Sequence, residues 1–316
     1  MLSRVANSMY WMGRYIERAE NVTRCMEVNA HLALDLPGDE IDRWEPLIKI
    51  TGDQGLFQSA HDRADQGNVV HFLAFDRNNP NSVISCMTAA RENARAIRSY
   101  IISEMWEQVN RMHLYVNRAA NDPDVFSSPH EFYTRLKLGS YLLLGIAEAG
   151  MSHDEGWHFL RMGRMIERAD QASRLLDVKY FFLLPTPEHV GSSLDDIQWA
   201  ALLRSAGALE MYRQQYGVIT PEHVVEFLLL DREFPRAVLH CLNRADESLR
   251  TIAGSPEDTF QTKPERLLGR LRAELIYARS PEIILAGLHE YLDRLQARLN
   301  EVGDAVFETF FSLRPR

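Results

Sequence analysis

An internal repeat constrains the fold of this chain more than any other feature of the sequence. The segment Met12–Asn21, with the sequence MGRYIERAEN, recurs as Met162–Gln171, with the sequence MGRMIERADQ. The match resumes further along at an offset of 155 residues, where Trp44 pairs with Trp199. Two copies of this length predict a pseudo-symmetric pair, because an open solenoid needs at least about three short units to bury its core.

Both copies show the hydrophobic periodicity of helices. Apolar residues between Ser3 and Leu34 recur three and four positions apart, and proline opens most of the later helical segments, where its fixed φ suits a first turn. No segment alternates polar and apolar residues with the period of two that marks a strand. The pattern therefore predicts an all-α fold.

The predicted architecture is a helical bundle of about ten helices, or eleven, built from two internally duplicated repeats related by a pseudo-twofold. We expect a single domain over residues 1–316, with repeat one at 1–150 and repeat two at 151–316. Five helices are predicted in its first half, and they include one ended by Pro37 and Gly38, one over about Ile41–Ala60, and a long one from Pro80 to Asn110 without a break.

The composition excludes several classes of protein. The chain is 46% hydrophobic and 25% charged, as is typical of soluble globular proteins. It has neither the run of about eighteen apolar residues that a transmembrane helix needs nor the basic and then apolar start of a secretory signal, so we expect a cytoplasmic protein without a membrane association. The net charge of -9 argues against nucleic-acid binding, which requires clustered Lys and Arg facing phosphates.

The cysteines show no sign of redox or catalytic chemistry. Cys25, Cys86 and Cys241 form neither a CxxC pair nor an even disulfide framework. Nothing nearby in the sequence supplies a base or cation that would lower a thiol pKa, so we interpret all three as small buried hydrophobes.

Charged residues on the first helix of each repeat lie among apolar ones. Arg14, Glu17 and Asn21 have apolar residues both on their own face and on the opposite face of the helix, and Arg164, Glu167 and Gln171 repeat the arrangement. Such a helix is expected near the centre of the fold. Its charges must then be paired, because an unpartnered buried ion costs several kcal/mol.

The helix after Pro80 supplies candidate partners. Arg91, Arg95 and Arg98 recur at helical spacing on a face that is otherwise apolar, which predicts an arginine ladder embedded in an apolar stripe. Such a ladder should face carboxylates. The expected partners are Glu17, Glu20, Glu167, Asp170, Glu104 and Glu107.

Two interpretations of the charged layer remain open, namely a structural ion-pair network that fixes the register of the two copies and a ligand site. An asymmetry between the copies favours a site in the first, because Arg91 and Arg98 align with Asp246 and Ala253, and segment 103–110 has no counterpart. Arginine suits carboxylate or phosphate ligands through its bidentate geometry. The candidate ligand-binding residues are Arg14, Glu17, Arg18, Arg91, Glu92, Arg95, Arg98, Glu104, Trp106, Glu107, Glu167 and Arg168.

The sequence predicts no metal, no cofactor and no assigned catalytic residue. Glu155 and His158 form an E-x-x-H pair of the kind found in di-iron bundles, but that chemistry needs a second pair, and the aligned positions hold Val5 and Ser8. Neither an HExxH motif nor a glycine-rich phosphate loop occurs.

A resemblance to a known family rests on five segments: Met1–Ala6, Tyr10–Glu20, Ala90–Arg95, Ser103–Glu107 and Leu268–Leu275. On these segments, and over essentially its whole length, the chain resembles the alpha-E family of bacterial proteins. The resemblance implies an association, in operons or fusions, with circularly permuted ATP-grasp ligases and transglutaminase-like proteins, in systems thought to make or modify peptides. It implies no reaction and no catalytic residues.

Two classes of function follow. The first is an accessory or substrate-binding partner of an ATP-grasp-type peptide or amide ligase, or of a transglutaminase-like protein, with a peptide or amino-acid ligand at the charged residues. The second is an enzyme in its own right, which uses clustered carboxylates, with or without a metal, for amide or peptide chemistry.

Glycine occupies the same position in the first helix of each repeat. A mid-helix Gly costs about 1 kcal/mol relative to Ala, so its presence in both copies indicates a packing requirement. We predict that Gly13 and Gly163 lie at close helix crossings near the pseudo-twofold axis.

Overall fold

The computed structural model describes residues 1–35, 40–122, 125, 129–182, 193–256 and 259–312. Over these ranges the chain forms α-helices and no strand, so the all-α prediction is confirmed. None of the helices within these ranges is both long and apolar enough to cross a membrane. The predicted stop of the first helix at Pro37 and Gly38 lies outside the described residues.

Fifteen α-helices form within the described residues, more than the ten or eleven predicted. A π-helical turn follows α11 at Glu226–Leu230, and another follows α15 at Phe307–Phe311. The helices are α1 Ser3–Asp35, α2 Glu40–Thr51, α3 Gln54–Ala60, α4 Gln66–Ala74, α5 Val83–Ala96, α6 Ser103–Ala119, α7 His130–Gly150, α8 Glu155–Phe182, α9 Ser193–Ser205, α10 Leu209–Tyr216, α11 Pro221–Val225, α12 Val238–Ala253, α13 Lys263–Tyr277, α14 Ser280–Leu285 and α15 Leu288–Val306.

The higher count arises because several predicted helices are divided. Gly52, with a φ of 77°, lies between α2 and α3, and Gly207, with a φ of 62°, lies between α9 and α10. A positive φ cannot continue a right-handed helix, and glycine adopts it without steric cost. The prediction of one helix over Ile41–Ala60 is therefore wrong. The two glycines align at the offset of 155 residues, so both copies use the same break.

The long helix predicted after Pro80 is also divided. α5 ends at Ala96, and α6 begins at Ser103 and packs against α5. Between them, Ile97 and Ile101 turn into the core and are buried. The break reverses the chain, so that α6 runs back beside α5 instead of extending it.

The chain divides into two compact units. The N-terminal unit comprises 15–152, in which α5 packs on α6, α6 on α7 and α2 on α4. The C-terminal unit comprises 1–14 and 153–316. In this unit α8 packs against α12 and α15, and α13 also packs against α12 and α15. The pseudo-twofold between the repeats stays a prediction.

The burial pattern of two helices in the N-terminal unit recurs in the C-terminal unit at an offset of 159 residues. α6 and α13 therefore share the spacing of their buried residues, and the absence of a sequence counterpart to segment 103–110 stays a prediction. The matching buried positions are Met105, Val109, Met112 and Val116 in α6 with Pro264, Leu268, Leu271 and Leu275 in α13. Those of α7 and α15 are Tyr133, Leu136, Ser140, Leu143 and Ala147 with Leu292, Leu295, Leu299, Val302 and Val306.

The cysteines follow the sequence-based interpretation with one exception. Cys86 and Cys241 are buried, and each Sγ approaches a backbone carbonyl at the start of its helix, that of Pro80 for Cys86 and that of Pro235 for Cys241. Cys25 is only partly buried. The two aligned cysteines therefore act as small core residues, as expected.

Candidate ligand-binding site

In the C-terminal unit, the start of α1 crosses α8 at two glycines. A Cβ atom on Gly13 would overlap the carbonyl oxygen of Leu160, and a Cβ atom on Gly163 would overlap that of Tyr10. The prediction of a close helix crossing at both glycines is therefore confirmed. Only residues without a side chain allow the two backbones to come this close.

The close crossing positions a buried ion pair. Arg14 Nε donates to Glu167 Oε2 at 2.7 Å, and the Glu167 side chain is 0% exposed whereas that of Arg14 is 13% exposed. Gln171 donates to the other carboxylate oxygen at 3.4 Å, and the guanidinium group lies 5.2 Å from the ring centroid of Trp11. These two candidate residues therefore satisfy each other, as a structural network requires.

The arginine that follows each repeated glutamate donates a hydrogen bond to a loop. Arg168 Nη1 donates to the carbonyl oxygen of Pro235 at 3.1 Å in the C-terminal unit, and Arg18 Nη1 donates to Asn81 Oδ1 at 2.6 Å in the N-terminal unit. Pro235 aligns with Pro80, the neighbour of Asn81. Both arginines thus hold the equivalent loop, which precedes α12 in one unit and α5 in the other.

The acidic residues one turn further along bind arginines of their own helix. Glu20 pairs with Arg24 in α1, and Asp170 Oδ2 accepts from Arg174 Nε at 2.8 Å in α8. These pairs occupy aligned positions and are largely buried. Glu17 is also buried, at 2% exposure. The expectation that Glu20 and Asp170 face the arginine ladder is wrong.

The arginines of α5 form an exposed cluster instead of a buried ladder. Arg95 is 67% exposed and donates to Glu92 Oε2 from two nitrogens, at 2.8 and 2.5 Å. Arg91 contacts Glu92 at 3.0 Å, and Arg98 is exposed in the turn after α5. The prediction of an apolar stripe is wrong, because α5 ends at Ala96 and the helical spacing does not continue beyond it.

Trp106 on α6 joins two of these arginines. The guanidinium carbons of Arg91 and Arg98 lie 5.6 and 5.9 Å from its ring centroid, within the range of a cation–π interaction. Two other candidates, Glu104 and Glu107, are exposed on α6 and form no ion pair with these arginines in the described structure. Five candidate residues therefore meet on one exposed surface: Arg91, Glu92, Arg95, Arg98 and Trp106.

The structure adds residues that sequence reasoning missed. Asn110 Oδ1 accepts from Arg91 Nε at 2.7 Å. His113, one turn further along α6, has its pKa lowered by burial and then by the positive charges of Arg91 and Arg77. Their helical spacing on α6 was the sequence signal that could have identified Asn110 and His113. Only the reversal of the chain, however, brings them beside α5.

The aligned region of the C-terminal unit is a closed ion cluster. Asp246, which aligns with Arg91, is buried with 3% of its side chain exposed. Its Oδ2 accepts from Arg250 Nε at 2.8 Å and lies 3.3 Å from Arg272 Nη1. The exposed cationic surface is therefore a feature of the N-terminal unit.

A separate group in the C-terminal unit has metal-ligand chemistry. Asp177, His289 and Asp293 place one ligand atom each within 4.8 Å of one another. The imidazole lies between the two carboxylates, with Nδ1 2.7 Å from Asp177 and Nε2 3.6 Å from Asp293. The hydrogen bond with Asp177 raises the pKa of His289, and burial raises the pKa of Asp177.

The E-x-x-H pair considered from sequence has other partners. Glu155 Oε2 accepts from the N-terminal ammonium of Met1 at 2.7 Å. His158 Nδ1 lies 3.3 Å from the hydroxyl of Ser248, and burial lowers its pKa. The pair therefore belongs to the packing at the start of α8.

A family model covers nearly all of the chain. It is described as a predicted alpha-helical domain with a conserved ER motif, and it matches residues 1–311. The chain contains the dipeptide Glu-Arg at three places, two of which lie in the repeated segments: Glu17-Arg18, Glu167-Arg168 and Glu265-Arg266.

Relatives of known sequence are considerably longer than this chain. An uncharacterised protein of Mycobacterium bovis is 26% identical over 335 residues, which cover 98% of this chain and 37% of the relative. An uncharacterised protein of Mycobacterium tuberculosis is 25% identical with the same coverage. This chain thus spans little more than a third of the length of these relatives. No solved structure matches it.

Proposed function

Because this chain belongs to the Alpha-E family, we propose that it is a non-catalytic binding module, an accessory or substrate-binding partner of an ATP-grasp-type peptide or amide ligase. The partner follows from what the family resemblance implies, and a transglutaminase-like protein of the same system is the other candidate. The binding surface in this proposal is the exposed cluster around Trp106 on the N-terminal unit.

One observation carries the assignment of the surface. Arg91 and Arg98 lie against the same indole, and each keeps N–H groups that make no hydrogen bond within the described residues. The N–H edge of a guanidinium group matches the geometry of a planar anion such as a carboxylate. A carboxylate or phosphate of a peptide or amino-acid ligand therefore has charge-assisted donors ready for it.

The buried carboxylates support a binding role over a catalytic one. Glu167 is bound to Arg14, Asp170 to Arg174, and Asp246 to two arginines. A carboxylate that is buried and bound in this way stabilises the packing of helices. General acid–base catalysis would need such a group to reach a substrate proton, and these carboxylates are instead bound to arginines.

The length of the relatives is consistent with an accessory module. In the mycobacterial proteins, the sequence similar to this chain makes up 37% of a longer chain. In these relatives, a domain similar to this chain is therefore joined to other sequence in one polypeptide, which is consistent with an accessory function.

The alternative, an enzyme in its own right, is favoured by one observation. Asp177, His289 and Asp293 form the one metal-ligating group found within the described residues. Carboxylate oxygens and imidazole nitrogens suit several divalent ions. Metal analysis of the dialysed protein tests this alternative, because stoichiometric metal together with hydrolysis of a peptide by the chain alone would support it.

The test of the proposed function is complex formation. The purified chain is mixed with the ATP-grasp ligase encoded in the same genome and analysed by native mass spectrometry, and ADP release by the ligase is measured with and without the chain. We expect a stable complex or a change in ADP release. The double variant Arg91→Met/Arg98→Met should weaken the effect on ADP release, whereas Arg279→Met, an exposed control in the C-terminal unit, should not. Absence of both a complex and an effect would overturn the proposal.

A further inference from the structure

Three arginines of the N-terminal unit are anchored at regular intervals along α6. Arg98 Nη2 donates to Ser103 Oγ at 3.3 Å, Arg91 Nε donates to Asn110 Oδ1 at 2.7 Å, and Arg77 Nη2 donates to Asn117 Oδ1 at 2.6 Å. The three acceptors are seven residues apart, so they lie on one face of α6 at steps of two turns, about 10.5 Å. We call the three arginines the guanidinium row.

The guanidinium row keeps its positive charge. All three α6 acceptors are uncharged side chains, so they orient the arginines without neutralising them. Within the part of the chain that the structure describes, the acid in contact with the row is Glu92, which Arg91 shares with Arg95 and whose pKa those arginines lower. Asn and Ser at these positions therefore leave a line of cations at the surface of a chain with a net charge of -9.

Planar, uncharged groups separate the cations. Trp106 lies between Arg98 and Arg91, and His113 lies on α6 between the anchors Asn110 and Asn117, near the charges of Arg91 and Arg77. Burial and the charges of both arginines lower the pKa of His113, whereas Glu92 and the backbone of Met87 oppose that effect. The histidine is therefore neutral at physiological pH. The surface alternates cation and flat ring along its length.

The spacing of the guanidinium row selects among anionic ligands. In an extended peptide of polyproline II conformation, every third residue lies on the same face, about 9.3 Å further along the chain, which is close to the step of about 10.5 Å between the acceptors on α6. A single phosphate or free amino acid spans only one position. A helical ligand would need a continuous apolar face, whereas the row is interrupted by a charge at every second turn of α6.

We infer that the guanidinium row binds an extended acidic peptide whose carboxylates fall on every third residue, with Trp106 and His113 contacting the chain between them. This inference rests on the proposed function, because it names the class of ligand for the same surface. It also adds Arg77 as a specificity-determining residue that the sequence did not nominate.

The C-terminal unit provides an internal contrast. Arg232 aligns with Arg77, but the positions that align with Arg91 and Arg98 hold Asp246 and Ala253. At the offset of the buried positions, Asn110 and Asn117 correspond to Gly269 and Ile276. The anchors and two of the three cations are absent there, so Arg232→Met is a matched control for Arg77→Met.

The test uses the whole chain and a blocked synthetic peptide with three glutamates, each separated by two serines. Binding is measured by isothermal titration calorimetry at low salt, and far-UV circular dichroism confirms that each variant keeps the thermal midpoint of the parent. We expect Arg77→Met to weaken binding about tenfold, a loss typical of one charge-assisted contact. Arg232→Met should leave it unchanged. A peptide with three glutamines in place of the glutamates should not bind.

Two further probes decide whether spacing matters. A peptide of the same composition with contiguous glutamates should bind at least about fivefold more weakly, because the backbone positions of its three glutamates span less than one step of the row. Equal affinity for this peptide, or for inorganic tripolyphosphate, would show a general anion-binding surface and overturn the inference. Equal effects of Arg77→Met and Arg232→Met would do the same.

The outcome is independent of the partner experiment. Peptide binding is measured without a ligase, and complex formation is measured without the peptide. A complex without peptide binding overturns the inference and leaves the proposed function in place. Peptide binding without any ligase complex overturns the proposed partner and leaves the ligand class in place.

Discussion

Gly13 and Gly163 stand at one crossing of α1 and α8, and each lies against the backbone carbonyl of the residue three positions before the other. Gly13 meets Leu160, and Gly163 meets Tyr10. The contact is reciprocal, as expected for two copies of the same segment packed against each other. It brings Arg14 within 2.7 Å of Glu167.

Alanine at either glycine should destabilise the protein. In Gly13→Ala or Gly163→Ala, the new methyl group overlaps a carbonyl oxygen, and the helices must separate, which costs typically about 1–3 kcal/mol. The measurement is the urea midpoint of unfolding. Gly269→Ala is the control, because nothing lies within 4 Å of its Cβ position in α13, and it should stabilise the protein by up to about 1 kcal/mol. A midpoint in Gly163→Ala as high as in Gly269→Ala contradicts the packing argument.

Removing Arg14 should take one cation away from a buried carboxylate. Since Glu167 is 0% exposed, Arg14→Met is expected to lower the free energy of unfolding by about 3–5 kcal/mol, as for other broken buried pairs. Arg244→Met removes an exposed pair with Glu247 and should cost less than about 1 kcal/mol. Urea titration of both variants gives the comparison. Similar small losses would show that the pair at Arg14 is hydrated.

Arg95 and Arg250 align in the two copies but should respond differently to substitution. Arg250→Met removes a hydrogen bond to buried Asp246, and Arg272 stays as a second cation, so we expect a loss of about 1.5–3 kcal/mol. Arg95 is 67% exposed, and Arg95→Met should leave the urea midpoint unchanged. A large destabilisation by Arg95→Met would indicate that the arginines of α5 serve packing. It would remove the basis for a ligand site there.

Stability should depend on pH through His289. Its pKa is raised by the hydrogen bond with Asp177, so the folded state favours the imidazolium. The contribution is fully present below the ordinary pKa, about 6.5, and is lost as the pH rises through the folded-state pKa. Urea midpoints measured from about pH 5.5 to about pH 9 should fall over that window in the parent.

Two variants isolate this effect. His289→Gln and Asp177→Asn should each flatten the decrease, because one removes the titrating group and the other its partner. Burial raises the pKa of Asp177 above its ordinary value as well, so His289→Gln is the variant that assigns the decrease to the imidazole. If the decrease persists unchanged in His289→Gln, another group is responsible for it.

Local sequence patterns determine part of the architecture. Apolar residues at helical spacing commit each segment to a helix, whatever it later packs against. The recurrence of Gly13 at Gly163 identified a close crossing without coordinates, because a mid-helix glycine is costly unless it allows backbones to approach. The sequence also has a glycine at each of two helix breaks, Gly52 and Gly207. Only the positive φ values in the structure identify these glycines as helix ends.

The partners of the charged residues were decided by the tertiary structure alone. Helical spacing placed Arg91, Arg95 and Arg98 on one face, but it could not show that the chain reverses at Ile97, which leaves Arg95 exposed. The reversal sets Asn110 beside Arg91 across α5 and α6. Ion pairs and hydrogen bonds act over a few ångströms in space. Sequence fixes such distances within a helix, as for Asp170 and Arg174, whereas between helices only the path of the chain fixes them.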